Sequence, residues 1–341
     1  MIKRIAIFIL LTGLMWGCAQ EVEVMGVAVG IDLGVTGVQH TRSAITDGSE
    51  VTSIGIFGYA TGGDHFDTGN PTHVPNLFFN RHATRTPGND WSYNPVAFWP
   101  MGTAEKSSFF ACSPHTSLFP VEANVMLSNE HAYGYPTLTY TVPAEVEHQV
   151  DLLYALPTLN INRNTNSGMV LYEMKHALAW IKIFVAPAIM TSVAGEAYTV
   201  TSLALSAPAL MTRGTLTIGT GAWSAVNVTP AHYLFPVSGL PVAAGGVEEV
   251  TMAGACLMMI PQHLANATVH ITFTYEDGTG QPDDGEYSFS VPFPSITLLA
   301  ERMEVFVLQI GTDGVRIVFH TTNTIEEWDE DILYKDIIEV Y

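Results

Sequence analysis

Basic side chains are scarce in this chain: 13 Lys and Arg stand against 33 Asp and Glu, a formal net charge of −20 at pH 7. Such a field repels phosphate backbones and anionic lipid surfaces, so nucleic acid is excluded as a partner. Lys, Arg and Glu are too sparse to build long solvent-facing helices. The only cysteines, Cys18, Cys112 and Cys256, show no C-x-x-C spacing, which argues against a metal–thiolate centre. Cys112 and Cys256 sit among apolar residues and read as free core thiols. No HExxH, GxSxG, Walker loop or dinucleotide fingerprint occurs. The twelve histidines are scattered, mostly in turn-like segments, without helical ligand spacing. Neither an enzyme nor a metal or cofactor is expected.

What is present is β material. Thr, Val, Tyr, Phe and Gly are plentiful, and 48% of the 341 residues are hydrophobic, enough for two domains with their own cores. The chain opens Met1-Ile2-Lys3-Arg4, runs apolar from Ile5 to Trp16 and reaches Gly17-Cys18. A charged start followed by so short an apolar run is a secretory signal, not a spanning helix. A small residue before a single Cys resembles the lipobox of bacterial lipoproteins, which implies removal of residues 1–17 and acylation of Cys18. Met15 and Trp16 depart from the usual Leu and small residue. No later apolar run is long enough to span a bilayer, so the acyl chains would be the only anchor.

From Val22 to Val35, the large residues Val27, Val29, Ile31, Leu33 and Val35 alternate with Ala28, Gly30, Asp32 and Gly34. Period two predicts a strand with one apolar face and one nearly bare face. The polar stretch behind it, 39–50, carries one basic residue, Arg42. Further strands are expected at 53–60, 106–113, 137–142, 149–155, 180–185, 199–207 and 214–218. Hairpins are expected at 268–275 with 287–291 and at 302–310 with 314–320. The segment 61–88 reads as a long loop with one short strand at 74–79. The Asn- and Thr-rich tract 157–168 reads as a linker, which divides the chain into a signal (1–17), an N-terminal domain (18–160) and a C-terminal domain (161–341).

Four segments carry a family resemblance: Thr41-Arg42-Ser43-Ala44 with Ile54 to Tyr59; Phe98-Trp99-Pro100 with Lys106 to Ala111; Asp151 to Ala155; and His176-Ala177-Leu178-Ala179. Their order, together with the lipoprotein-like start, resembles the fimbrillin (type V pilin) family of Gram-negative anaerobes. The resemblance implies an all-β chain of two tandem transthyretin-like β-sandwich domains. It also implies an outer-membrane lipoprotein precursor that becomes a subunit of a surface fimbrium used in adhesion. In that scheme an arginine-specific protease cuts behind the first strand, here at Arg42, and a neighbouring pilin subunit supplies a strand to the emptied groove. Arg81 and Arg85 are the alternative cut sites, and Arg42 as an ordinary loop arginine is the plainer reading.

The C-terminus supplies a candidate donor strand, with Ile332, Tyr334, Ile338 and Val340 on one face. Asp336 interrupts that face, and a tail folded onto its own domain accommodates it equally. The competing function is a monomeric surface lipoprotein or pilus-tip adhesin that binds a glycan or host ligand through its loops, with Phe66, Phe78 and Phe79 stacking on sugars.

Overall fold

The structure is a computed structural model that describes residues 28–36 and 51–321, apart from 89, 103, 189–195, 244, 251–255 and 279–283. Among these residues there are strands and short 3-10 turns but no α-helix. The first half carries β1 (Asp32–Thr36), β2 (Ser53–Gly62), β3 (Phe78–Arg85), β4 (Trp91–Tyr93), β5 (Lys106–Ser113), β6 (Met126–Leu127), β7 (Thr137–Thr141) and β8 (Leu153–Ala155). Next come β9 (Thr158–Ile161), β10 (Met169–His176), β11 (Ala179–Pro187), β12 (Ala197–Thr217), β13 (Trp223–Leu234), β14 (Leu240–Ala243) and β15 (Glu248–Glu249). The last are β16 (Leu257–Met259), β17 (His263–Leu264), β18 (Thr268–Glu276), β19 (Gly285–Pro292), β20 (Ile296–Thr297), β21 (Met303–Gly311) and β22 (Gly314–Thr321).

Side-chain patterning accounts for their places. In β18, Val269, Ile271, Phe273 and Tyr275 are buried while the Thr and His residues between them are half-exposed, so one face meets the core. In β11 and β21 every residue is buried. Runs without alternation suit strands covered on both faces, and these two pair in parallel from Trp180↔Met303 to Pro187↔Ile310. The two segments expected at 199–207 and 214–218 are one continuous strand, β12, to which β18 and β7 attach along one side and β14 and β13 along the other.

An eight-stranded sheet runs β1-β10-β8-β5-β2-β3-β4, with β9 on β5. A seven-stranded sheet runs β19-β18-β12-β7-β6, with β13 and β14 on β12, and a five-stranded sheet runs β15-β11-β21-β22, with β16 on β11. The larger core draws on strands of all three sheets, for example Phe57, Phe110, Tyr140, Trp180, Leu216, Phe273 and Phe306. A second core lies on the eight-stranded sheet and includes Ile31, Leu33, Ile54, Phe78, Trp99, Phe109 and Tyr172.

The expected division at residue 160 does not fall at a break in hydrogen bonding. Strand β10 pairs with β8 and with β1, and β7 pairs with β12. Nor is the tract 157–168 an open linker. Asn160 and Asn166 adopt positive φ, and Asn160 accepts from the Phe66 N–H at 2.7 Å. Asparagine tolerates the left-handed region and bonds neighbouring backbone, so an Asn-rich run builds turns as readily as it marks flexibility.

Candidate strand-docking site

Strand β1 is the element with the most unusual surroundings. It lies parallel to β10 in the register Asp32↔Met169 to Thr36↔Glu173. Its leading residues are also bound on the opposite edge. Gly30 bridges Phe98, the Ile31 N–H donates to the Ala97 carbonyl at 3.0 Å, and the Trp99 N–H donates to the Val29 carbonyl at 3.0 Å. The strand therefore closes the gap between β10 and the segment after β4.

One side chain bonds this segment directly, and a second fixes the chain beside it. The Tyr93 hydroxyl donates to the Ile31 carbonyl at 2.8 Å. Burial, more than the nearby Asp32 carboxylate, raises the Tyr93 phenol pKa, which keeps it a donor. The Trp99 indole donates to the Gly168 carbonyl at 3.0 Å and sits edge-on to Phe109 at 5.4 Å. On the neighbouring β10, opposite Val35, Tyr172 is fully buried and its hydroxyl pKa is raised by that burial.

Of the expected inward residues, Ile31 is 1% and Leu33 7% exposed, Val35 packs at the margin, and Val29 is 40% exposed. Val29 departs from the expected pattern because β1 is paired with β10 only from Asp32 onward. Val27, Cys18, Arg42 and the tail residues Ile332, Tyr334, Ile338 and Val340 lie outside the described residues. Nothing in the sequence singled out Tyr93; Trp99 stood in one of the family-like segments without a role.

Of the three rings expected to stack on sugars, Phe78 is buried and Phe66 and Phe79 are half-buried. Phe78 is 2% exposed and packs against Phe109 and Tyr93. Phe66 meets Tyr59 edge-on and lies tilted against Phe110 and Tyr135, and Phe79 meets Phe57 edge-on. Phe78 lies in the second core, while Phe66 and Phe79 pack against the larger one from its margin. Cys112 and Cys256 are buried and free. His176 is buried, hydrogen-bonded through Nδ1 to the Asp151 carboxylate at 3.1 Å and edge-on to Trp180. The exposed group Glu145, Glu147 and His148 brings three ligand atoms together at the surface. Its carboxylates already flank the imidazole, with Glu145 at 3.1 Å and Glu147 at 3.9 Å.

Fold and site define a class: an all-β protein whose second core is completed by the first described strand. The fimbrillin-like family model matches residues 41–328, and the chain belongs to that family. A fimbrial protein from Bacteroides vulgatus shares the fold with a TM-score of 0.68 at 20% identity, covering 86% of this chain and 98% of that one. A candidate cell adhesion protein from Bacteroides uniformis gives 0.51 at 16% identity, covering 87% and 98%. One from Bacteroides ovatus gives 0.52 at 13%, covering 87% and 97%. No curated protein matches the chain. Membership in this family supports a pilus or adhesion subunit at the cell surface, not an enzyme.

Proposed function

We propose that the chain is a structural pilus subunit, exported as an outer-membrane lipoprotein through Cys18 and assembled by strand exchange after an arginine-specific protease cuts at Arg42. Two transthyretin-like sandwich units would form its body. The observation that carries the reading is the double-edged seat of β1, which is hydrogen-bonded on both sides with Ile31 and Leu33 in the core. The last residue of β1, Thr36, stands six residues before the arginine. A cut there detaches the strand from the covalent chain without touching the sheets that hold it. An emptied seat presents two unpaired edges and an apolar trough, which a neighbour's extended segment fills with main-chain bonds and alternate side chains. Two core side chains at about 1.5–3 kcal/mol each, before ordering costs, make a slow-dissociating joint.

Trypsin treatment of the purified precursor should yield a polymer ladder on unboiled gels. Arg42→Ala should give a lipidated monomer that never joins fibres, and deletion of residues 332–341 a subunit that accepts a strand but supplies none. Cys18→Ala should move the precursor to the soluble fraction. Normal fibres from Arg42→Ala would place the cut elsewhere, with Arg81 and Arg85 next to be tested.

A further inference from the structure

Two imidazoles lie face to face where the chain leaves the eight-stranded sheet. His82, on β3, and His115, just after β5, stack with ring centroids 4.2 Å apart and planes 11° from parallel. Both are half-buried. Among the described residues, the titratable side chain that acts on the His115 charge is His82, with no carboxylate beside it. The elements packed on the pair present no charge either. Strand β2 offers the Ser53 hydroxyl, and β3 the Asn80 amide. The Cys112 thiol of β5 flanks Gly55 together with the His115 ring, and burial keeps that thiol protonated. Arg81, next to His82, bonds the Pro95 carbonyl.

The hydrogen bonds fix where His115 carries its proton. Its Nε2 lies 3.0 Å from the Asn80 carbonyl, which can only accept, so Nε2 bears the hydrogen. Nδ1 is then the bare nitrogen, and it accepts from the Ser117 hydroxyl at 2.8 Å and from the Ser117 N–H at 3.3 Å. The second of these bonds caps the 3-10 turn Thr116–Leu118. A proton added to Nδ1 would face the Ser117 N–H, donor against donor. It would also lay a cation on the His82 ring, and charging both rings would set like charges one stacking distance apart. His82 is itself tied into the network, because its Nε2 meets the Ser53 hydroxyl at 2.8 Å and the same oxygen accepts the His115 N–H at 3.3 Å.

We propose that the His82–His115 stack is an acid-sensitive latch, which holds the segment 113–119 in place while both rings are neutral and releases it when they are protonated. That segment ties two sheets together. At one end the Ser113 hydroxyl donates to the Ser53 carbonyl of β2 at 3.0 Å, and the Asn80 amide of β3 donates to the Thr116 hydroxyl at 2.6 Å. At the other, Phe119 packs on Tyr140 of β7 with ring centroids 6.0 Å apart. Burial lowers the His115 pKa from 6.5; the bond to Asn80 opposes that shift and His82 adds to it. A base whose folded pKa is depressed takes up its proton more readily in the open form, so the closed form loses ground as pH falls below about 6.5. The latch acts on the body of the subunit and is independent of any exchange of β1.

The test is native-state hydrogen exchange on the full chain, read as protection factors at about pH 7.5 and about pH 5.5. The reporters are the Ser117 amide, bonded to Nδ1, the His115 amide, and the Leu118 amide, which donates to the His115 carbonyl at 2.9 Å. Their opening should rise about fivefold to tenfold on acidification, the gain for one proton taken up in the open form at the ordinary histidine pKa. Amides of β12 and β18 should keep their protection. His115→Asn retains a capping oxygen and loses the titration, so its turn should be equally protected at both pH values. Magnetic-resonance titration of the rings reads the same device in the wild-type chain: His115 should titrate below the ordinary histidine value, and its titration should move upward in His82→Phe. Protection that is unchanged with pH, or that falls equally in all sheets, overturns the latch. So does a His115→Asn chain that opens in acid as wild type does, or a wild-type His115 ring that titrates at or above the ordinary value. A His115 titration unmoved by His82→Phe overturns the part assigned to the stack.

Discussion

Truncation of the inward face of β1 should loosen that strand while leaving the main core intact. Ile31 and Leu33 are 1% and 7% exposed, and truncation of a buried Ile or Leu to Ala costs about 2–5 kcal/mol. The lower bound alone corresponds to about thirtyfold in the population of the undocked state. The two side chains share one face of one strand, so the double variant should fall short of the sum. Strand β1 is joined to the body through its pairing with β10, the 97–99 segment and the Tyr93 hydroxyl, so the loss should appear as local opening.

Native-state hydrogen exchange reads this directly. In Ile31→Ala, the β10 amides facing β1 between Met169 and Glu173, together with the Trp99 amide, should exchange about thirtyfold faster or more. Amides of β12 and β18 should be unchanged. Uniform acceleration across all sheets would show that β1 is cooperative with the whole fold. No acceleration at β10 would refute the claim that Ile31 anchors the strand.

Trp99→Phe removes the donor to Gly168 and leaves a buried carbonyl unpaired; the urea midpoint should fall by the equivalent of about 1–3 kcal/mol. Phe78→Ala should cost about 3–5 kcal/mol by the same measurement because the ring is in the core, and a neutral result would reopen a surface role for it. Cys112 is fully buried, which pushes its thiol from 9.0 up to about 12. A folded-state pKa raised above the unfolded one contributes stability that is complete below the unfolded value. Stability should therefore fall as pH rises from about 9 to about 12, reinforced by tyrosines raised in the same direction, such as Tyr93 and Tyr154. Neither Cys112 nor Cys256 should react with an alkylating reagent at pH 8 until denaturant is added, and prompt labelling would show that the interior is open.

Local chemistry was legible in the chain itself. The alternation of Ile31, Leu33 and Val35 with Asp32 and Gly34 marked a one-faced strand, Lys106–Ser113 was bounded as observed, and the hairpin of 268–275 with 287–291 announced itself by the turn residues between its strands. These signals depend on neighbours within a few positions, where φ, ψ and side-chain direction are set by residue type. Partnership across the chain was not legible. That β1 lies beside β10, that Tyr93 and Trp99 hold it, and that β7 joins β12 depend on which edges were left unpaired when the other strands had packed. The same limit explains the two largest departures. The Asn-rich tract is tied down by the Phe66 amide, and the aromatics of the 61–79 segment turn inward, because the space that receives them exists only once β2 and β5 are paired. Sequence determined which segments could be strands and which faces were apolar; the tertiary structure alone decided which strand completes the second core and which of its residues remain exposed.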